Sequence, residues 1–255
     1  MAHLRCDFYS DVLGLSTSMT VILPQQTTTQ IGLSGTARDG GHPTLYLLHG
    51  LSDDDTTWTR RTSIERYVST MGLAVVMPQV HRSFYADEAH GNRYWTFLSE
   101  ELPAVAESFF RLSPRREDTF VAGLSMGGYG AVKWALRCPE RFAAAASLSG
   151  SLDIRDPQRW RDKPSIMKRV FGESEDAVPT QEDVLALARR IDPNIAPSLY
   201  IACGQQDRLC ESNELFVKTA ESAGLAVTSK FTPGEHTWDL WDARIRDVLD
   251  WLPLH

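Results

Sequence analysis

The sequence predicts an α/β fold in which a mainly parallel sheet carries helices on both faces. Short apolar runs typical of buried strands alternate along the chain with longer segments typical of amphipathic helices. Strands that run parallel need such crossover connections, because a tight hairpin cannot join them. The first 24 residues differ, since two alternating strand segments precede any helix, and they predict an antiparallel edge to the sheet.

The remaining elements follow in order along the chain. After a Thr/Gln/Gly-rich loop over 25–42, the predicted strands are 44–48, 73–77, 119–122, 142–148, 198–202 and 226–231. The predicted helices are 62–71, 94–110, 129–136, 181–190, 211–223 and 238–252. Pro103 is expected to kink the second of these helices or to begin a new one, because proline disrupts a helix interior.

No break in composition divides the chain, so we expect a single domain over residues 1–255. Residues 150–180 lose the regular alternation and carry many charged side chains. They are predicted to form a small cap insertion that leaves the core.

Composition excludes several functional classes. A net charge of −7, without any Lys/Arg cluster interleaved with aromatic residues, argues against a general nucleic-acid binder. No apolar run reaches 18 residues, so no membrane span is expected. The N-terminus lacks the pattern of a signal peptide, and the four cysteines show no metal-ligand spacing. We therefore expect a cytoplasmic protein with reduced thiols and without a metal or other cofactor.

The most informative motif is G-x-S-x-G at residues 123–127, which predicts Ser125 as a nucleophile. An apolar strand precedes the motif and a helix follows it, and this context defines a nucleophile elbow of the α/β-hydrolase fold. Gly123 and Gly127 suit the tight turn, because the residues two before and two after the serine must be small.

The serine needs a base to accept its proton, and the chain order of this fold places that histidine last. Only His236 and His255 follow Ser125. His255 is the terminal residue and is expected to be mobile. His236 lies in a loop directly after a predicted strand, so it is the predicted base.

Asp207 is the predicted acid of the triad. It follows the strand 198–202 and a glycine turn, and it lies between Ser125 and His236 in the sequence. Its expected role is to orient His236 and to stabilise the imidazolium without accepting the proton. Other aspartates in this interval compete less well, because none follows a strand and a glycine turn so closely: Asp153, Asp156, Asp162, Asp176, Asp183 and Asp192.

Two backbone amides are predicted to form the oxyanion hole. One belongs to Met126, directly after the nucleophile, and the other to Leu51, in the loop after the strand 44–48. His49 is expected to hold this loop by hydrogen bonds. The aspartate run 53–55 is expected to be a solvated loop or a helix cap rather than a metal site.

Together these segments resemble the esterase D-like group of α/β-hydrolases. That group includes S-formylglutathione hydrolases, short-chain tributyrin esterases, feruloyl esterases and mycolyltransferase-type acyltransferases. The likeness covers nearly the whole chain and is carried by 19–24, 45–52 with Trp58, 122–131, 147–150, 204–207 and 234–236.

The likeness is closest to the tributyrin esterase branch and implies a serine carboxylesterase for small esters with short acyl chains. It also implies that Trp58 lies near the pocket and that the chain forms a homo-oligomer, a dimer or tetramer. Trp160, in the excursion, either lines the pocket as a cap aromatic or simply packs on a cap helix. S-formylglutathione hydrolase-type thioesterase, feruloyl or acetyl esterase and acyltransferase activities stay open, as does an inactive binding protein on the same fold.

Overall fold

The computed structural model describes residues 1–254, and an eight-stranded sheet forms its centre. The strands are β1 (Ala2–Ser10), β2 (Leu15–Leu23), β3 (Thr44–Leu48), β4 (Ala74–Pro78), β5 (Thr119–Leu124), β6 (Ala144–Leu148), β7 (Ser198–Gly204) and β8 (Val227–Thr232). Their order across the sheet is β1-β2-β4-β3-β5-β6-β7-β8. Pairing is antiparallel from β1 through β2 to β4 and parallel from β4 onwards, so the predicted fold class, including its antiparallel edge, is confirmed.

All of the helices except the last lie in the crossover connections between the parallel strands, and the last follows β8. They are α1 (Thr57–Arg61), α2 (Ile64–Val68), α3 (Tyr94–Thr96), α4 (Leu102–Phe109), α5 (Met126–Arg137), α6 (Pro157–Asp162), α7 (Pro164–Phe171), α8 (Val184–Arg190), α9 (Cys210–Ser222) and α10 (Trp238–Trp251). The helix predicted over 62–71 is shorter in the structure, and α1 precedes it as a separate turn.

Pro103 is accommodated without a sharp break. A π-helical turn over Phe97–Glu101 connects α3 to α4, and Pro103 occupies the first turn of α4. Proline is tolerated there because its missing N–H would have no helical partner in a first turn. Of the two predicted outcomes, a kink or a new helix, the second is observed, since α4 begins at Leu102 after the wider π-helical turn.

The sheet is covered on both faces, which explains the continuous apolar runs of its strands. Along β5, Val121 contributes to one core layer, whereas Phe120, Ala122 and Leu124 contribute to the other. Helix α5 packs on the first layer and α10 on the second. The central strands are thus held rigidly from both sides, and their ends supply a fixed frame for the loops that follow them.

The excursion after β6 contains α6 and α7 together with irregular segments. Met167, Val170 and Phe171 of α7 are buried, and the Phe171 ring meets Phe84 at 5.7 Å between centroids. The excursion therefore packs on the loop that follows β4. Its definition as a cap on a single domain stays a prediction.

Two further observations concern residues 1–254. No helix in this range combines the length and the apolar character needed to cross a membrane. Cys6, Cys138, Cys203 and Cys210 are all free thiols. His255, which was expected to be mobile and therefore not to be the base, lies outside the described residues.

Candidate active site

The predicted site residues come from loops that follow four different parallel strands. Leu51 follows β3, Ser125 follows β5, Asp207 follows β7 and His236 follows β8. The carboxyl ends of parallel strands lie at one edge of the sheet, and ligand sites of open α/β sheets form at this edge. The topology therefore brings together four positions that are up to 185 residues apart in sequence, from 51 to 236.

Ser125 occupies a strained turn between β5 and α5. Its backbone angles are φ 53° and ψ −115°, in a region that non-glycine residues seldom adopt. A Cβ at Gly123 would overlap the carbonyl of Gly127, and a Cβ at Gly127 would overlap the carbonyl of Leu48. Both glycines are therefore required sterically, and the turn directs the serine side chain into the cavity at the sheet edge.

A chain of hydrogen bonds joins the three predicted triad residues. His236 Nε2 lies 3.0 Å from Ser125 Oγ, and His236 Nδ1 lies 2.7 Å from Asp207 Oδ2. The Asp207 side chain is fully buried, whereas His236 retains 22% of its side-chain exposure. With Nδ1–H donated to the carboxylate, Nε2 is free to accept the serine proton, which is the geometry that general-base catalysis needs.

The carboxyl of Asp207 is kept ionised by its hydrogen bonds. Burial raises its pKa, but hydrogen bonds from His236 and from the Leu209 N–H outweigh that effect and hold the pKa below its ordinary value. The charge is therefore present at neutral pH, where it can stabilise an imidazolium on His236.

Ser149 and Trp241 support the histidine and were not singled out in the sequence. Trp241 Nε1 donates to Ser149 Oγ at 3.1 Å, and the Trp241 ring meets the His236 ring edge-on at 4.8 Å. Ser149 also contributes a hydrogen bond that lowers the pKa of Asp207. Trp241 belongs to the apolar face of the last helix, so the helical pattern alone marked it as a core residue.

The loop after β3 is fixed by a buried histidine, as predicted for His49. Its Nδ1 donates to the Gly50 carbonyl at 2.7 Å, and its Nε2 accepts from the Val80 N–H at 3.2 Å. Burial lowers the pKa of His49, which matches a neutral ring with one donor and one acceptor nitrogen. The same cavity is lined by Leu51 and by Met126, the first residue of α5, whose first-turn amides have no partner within the helix.

The cavity around Ser125 has a volume of about 390 Å³. Its apolar lining combines the loops with the excursion and the last helix: Leu51, Phe84, Leu124, Met126, Ile166, Trp238 and Trp241. Charged side chains also line the cavity, among them Arg82, Arg159 and Arg208. This volume is in the range of small-molecule sites.

The two predicted substrate-binding tryptophans do not line this cavity. Trp58 is 1% exposed, and its Nε1 donates to the Leu48 carbonyl at 3.1 Å, which holds the ring beneath the loop after β3. Trp238 lies between Trp58 and the cavity, with its ring 5.4 Å from Trp58. Trp160 Nε1 donates to the Ile154 carbonyl, so this side chain packs within the excursion. The assignment of Trp58 to substrate binding is therefore corrected, because the ring is buried, and Trp160 follows the packing alternative that the sequence left open.

The aspartate run 53–55 separates into different roles. Asp54 accepts from the Thr56 N–H and hydroxyl, as a cap would. Asp55, however, is 2% exposed and accepts from Ser18 and Thr20 of β2, so it is not the solvated residue that was expected. Within residues 1–254, no three His, Cys, Asp or Glu side chains are arranged to hold a metal ion.

The sheet order, the elbow and the site at its carboxyl edge define an α/β-hydrolase of the serine hydrolase type. The family model named Esterase matches residues 10–252, and the chain belongs to this family. It is accordingly a carboxylesterase.

Relatives extend over the whole chain. The acetyl esterase of Caldicellulosiruptor saccharolyticus is 29% identical over 99% of this chain and 98% of its own length. Among solved structures, the Staphylococcus aureus fluorophosphonate-binding serine hydrolase FphF superposes with a TM-score of 0.86 at 33% identity, covering 98% of both chains. The S-formylglutathione hydrolase FrmB of the same organism gives 0.83, again at 33% identity and 98% coverage of both.

Proposed function

We propose that this carboxylesterase hydrolyses short-chain esters through Ser125, His236 and Asp207. The observation that carries the proposal is the hydrogen-bond chain from Ser125 Oγ through both nitrogens of His236 to the buried carboxylate of Asp207. In this mechanism His236 accepts the hydroxyl proton while Oγ attacks the ester carbonyl. Asp207 keeps the imidazole oriented and stabilises its positive charge.

The N–H groups of Met126 and Leu51 are proposed to bind the oxyanion that forms on attack. Both residues line the cavity that contains Ser125, and Met126 begins α5, where amides point out of the helix. Removal of one such donor costs about 10²- to 10³-fold in other serine hydrolases. The imidazolium then protonates the leaving alkoxide, and a water activated by the same His236 cleaves the acyl-enzyme.

The proposed substrates carry acyl groups of about two to six carbons, because each further methylene must find apolar space in the cavity. The cavity of about 390 Å³ accommodates acyl groups of this size. The names of the relatives agree with it, since acetyl and formyl groups are among the smallest acyl groups. No cofactor enters the mechanism, and the homo-oligomer implied by the resemblance stays a prediction.

We expect kcat/KM for p-nitrophenyl esters to peak between acetate and butyrate and to fall steeply by octanoate. Each methylene buried in a fitting channel would contribute about 0.8 kcal/mol, but in a closed cavity the same methylene would clash. Initial rates across the series measure the profile, with S-formylglutathione and methyl ferulate as additional substrates. A maximum at decanoate or longer would contradict the proposal and would indicate an acyl channel instead.

Asp207→Asn is expected to lower kcat by about 10⁴-fold, because the amide no longer favours the imidazole tautomer that presents Nε2 to the serine. Asp239→Asn is the matched control, since Asp239 is exposed in the first turn of α10, three residues after His236. Rates with p-nitrophenyl butyrate compare the two. Near-native activity of Asp207→Asn, or a collapse confined to Asp239→Asn, would show that the acid lies elsewhere.

A further inference from the structure

The cavity at Ser125 is rich in positive charge although the protein as a whole is acidic. Four cationic side chains line it, Arg82, Arg159, Lys163 and Arg208, against one aspartate that lies on the cavity surface, Asp53. The chain has a net charge of −7, so random placement would favour carboxylates over cations. A local excess of one sign in a cleft raises the concentration of ligands of the opposite sign.

Among the four cations, Arg159 gives the strongest argument for an anionic ligand. It is 9% exposed, in the middle of α6, and its guanidinium is held by neutral oxygens only. Nε donates to the Asp153 carbonyl at 3.2 Å, and Nη1 donates to Ser151 Oγ at 3.0 Å. Burial without a carboxylate partner is costly for a guanidinium. The guanidinium of Arg159 lines the cavity without a carboxylate partner. An anionic group on the substrate would supply that partner.

The other three cations reach the cavity from separate elements. Arg82 follows β4, Lys163 directly follows α6, and Arg208 comes directly after Asp207. The ion pairs of this region use other residues, with Arg155 bound to Asp183 and Arg169 bound to Glu88. Because three separate segments of the chain supply them, the cations that line this cavity are not the charged face of one helix.

The carboxylates nearest to this cluster are already engaged. Asp156 and Asp162 line a groove next to the cavity together with Arg159, Lys163 and Arg208. Asp156 accepts from the backbone N–H of Gln158, and Asp162 accepts from its side-chain amide. Asp53 accepts a hydrogen bond of 3.3 Å from the Thr57 hydroxyl. These acids reduce the positive potential of the cluster but leave Arg159 without an ion pair.

We propose that the cluster of Arg82, Arg159, Lys163 and Arg208 is an anion subsite, and that the enzyme acts on esters which carry a carboxylate or similar anionic group. The inference rests on the proposed function, because the subsite selects substrates for hydrolysis at Ser125. The subsite binds the anion beside the scissile ester and does not take part in bond breaking.

Matched pairs of esters test the subsite at pH 7.5. For an anion on the leaving group, 4-acetoxybenzoate is compared with the neutral 4-acetoxybenzamide. For an anion on the acyl group, mono-p-nitrophenyl adipate is compared with the p-nitrophenyl ester of adipamic acid, which has the same acyl length and no charge. We expect at least one anionic member to exceed its neutral partner in kcat/KM by about tenfold, the range of a hydrogen bond to a charged group. The pair that shows the preference identifies the side of the ester that carries the anion.

Variants then locate the effect. Arg159→Met is expected to lower the anionic-to-neutral ratio of kcat/KM by about tenfold, mainly through KM. Arg208 is exposed, and Arg208→Gln is expected to lower the ratio by about two- to fivefold. Because this variant keeps the hydrogen bonds of Arg159 to Asp153 and Ser151, it tests the subsite even if Arg159→Met fails to fold. The matched control is Arg161→Gln, whose guanidinium bonds only Gln158 on the outer side of α6, and its ratio should stay within about twofold of the native value.

The outcomes separate this inference from the proposed function. Hydrolysis of the neutral esters through Ser125, with no preference for either anionic partner, overturns the anion subsite alone. Equal losses of the ratio in Arg161→Gln and Arg208→Gln also overturn it, since the effect would then be one of net charge. Absence of hydrolysis with every ester overturns the proposed function itself.

Discussion

Replacement of Ser125 by alanine is expected to lower kcat by about 10⁴- to 10⁶-fold while the fold is retained. The substitution removes only Oγ, which is the atom that would attack the ester and that lies 3.0 Å from His236 Nε2. Alanine has the same Cβ as serine, so the unusual backbone angles of residue 125 impose no new steric cost. The N–H groups of Met126 and Leu51, which are proposed to bind the oxyanion, are still present and can polarise the ester carbonyl. They account for the residual rate that we expect.

The measurement is kcat with p-nitrophenyl butyrate, together with the circular dichroism spectrum of each purified variant. Ser52→Ala is the control, because Ser52 lies at the same cavity but in the loop after β3, without a hydrogen bond to the imidazole. We expect its kcat to stay within about tenfold of the native value, in line with other surface substitutions. Activity of Ser125→Ala within tenfold of the native enzyme would refute the assignment of the nucleophile.

The second large effect concerns stability and arises from a buried ion pair. Lys133, on α5, is fully buried, and its Nζ lies 2.6 Å from Glu182 Oε2 and 2.7 Å from the Tyr85 carbonyl. Burial lowers the pKa of Lys133, and the Glu182 carboxylate opposes this shift. Arg137 and the Tyr129 hydroxyl bond the same carboxylate. The pair therefore connects the helix behind the nucleophile to the residues that precede α8.

Lys133→Met is expected to lower the free energy of unfolding by about 3–5 kcal/mol, because it leaves a buried carboxylate short of its closest cation. Urea denaturation measures the change. Lys168→Met is the control, since the Lys168–Glu173 pair is 52% and 74% exposed and should contribute less than about 1 kcal/mol.

A double variant adds a further check on the ion pair. Lys133→Met combined with Glu182→Gln removes both charges and should recover part of the loss. A loss below about 1 kcal/mol in Lys133→Met alone would contradict this account of the pair.

The sequence predicted those parts of the site that depend on chain order and on local turn chemistry. Ser125 was predictable because a strand, two small residues and a helix must surround a nucleophile elbow. His236 and Asp207 followed from their order and from the strands before them. The structure brings all three within hydrogen-bond distance, although their catalytic roles remain proposals.

The parts that the sequence did not predict depend on contacts between distant segments. Lys133 looks like an ordinary helix residue until Glu182, 49 positions away, is placed beside it. Trp58 was assigned to the pocket from the resemblance, but its indole N–H donates to the Leu48 carbonyl and the ring is buried. Asp55 was expected to be exposed to solvent, whereas its carboxylate is buried and accepts hydrogen bonds from two hydroxyls of β2. A polar side chain is buried when a hydrogen-bond or ion-pair partner lies beside it in the fold. In these cases the partner comes from a distant segment, so the local sequence pattern does not identify it.

The position of β8 has a consequence for how the enzyme loses activity. This strand is the last of the sheet and pairs only with β7, yet it leads directly to His236. Ser125, by contrast, follows β5, which has neighbours on both sides. Fraying of one edge strand would displace His236 while Ser125 and the core stay in place. Inactivation by heat or denaturant can thus begin as a reversible local event at this edge, well before the molecule as a whole unfolds.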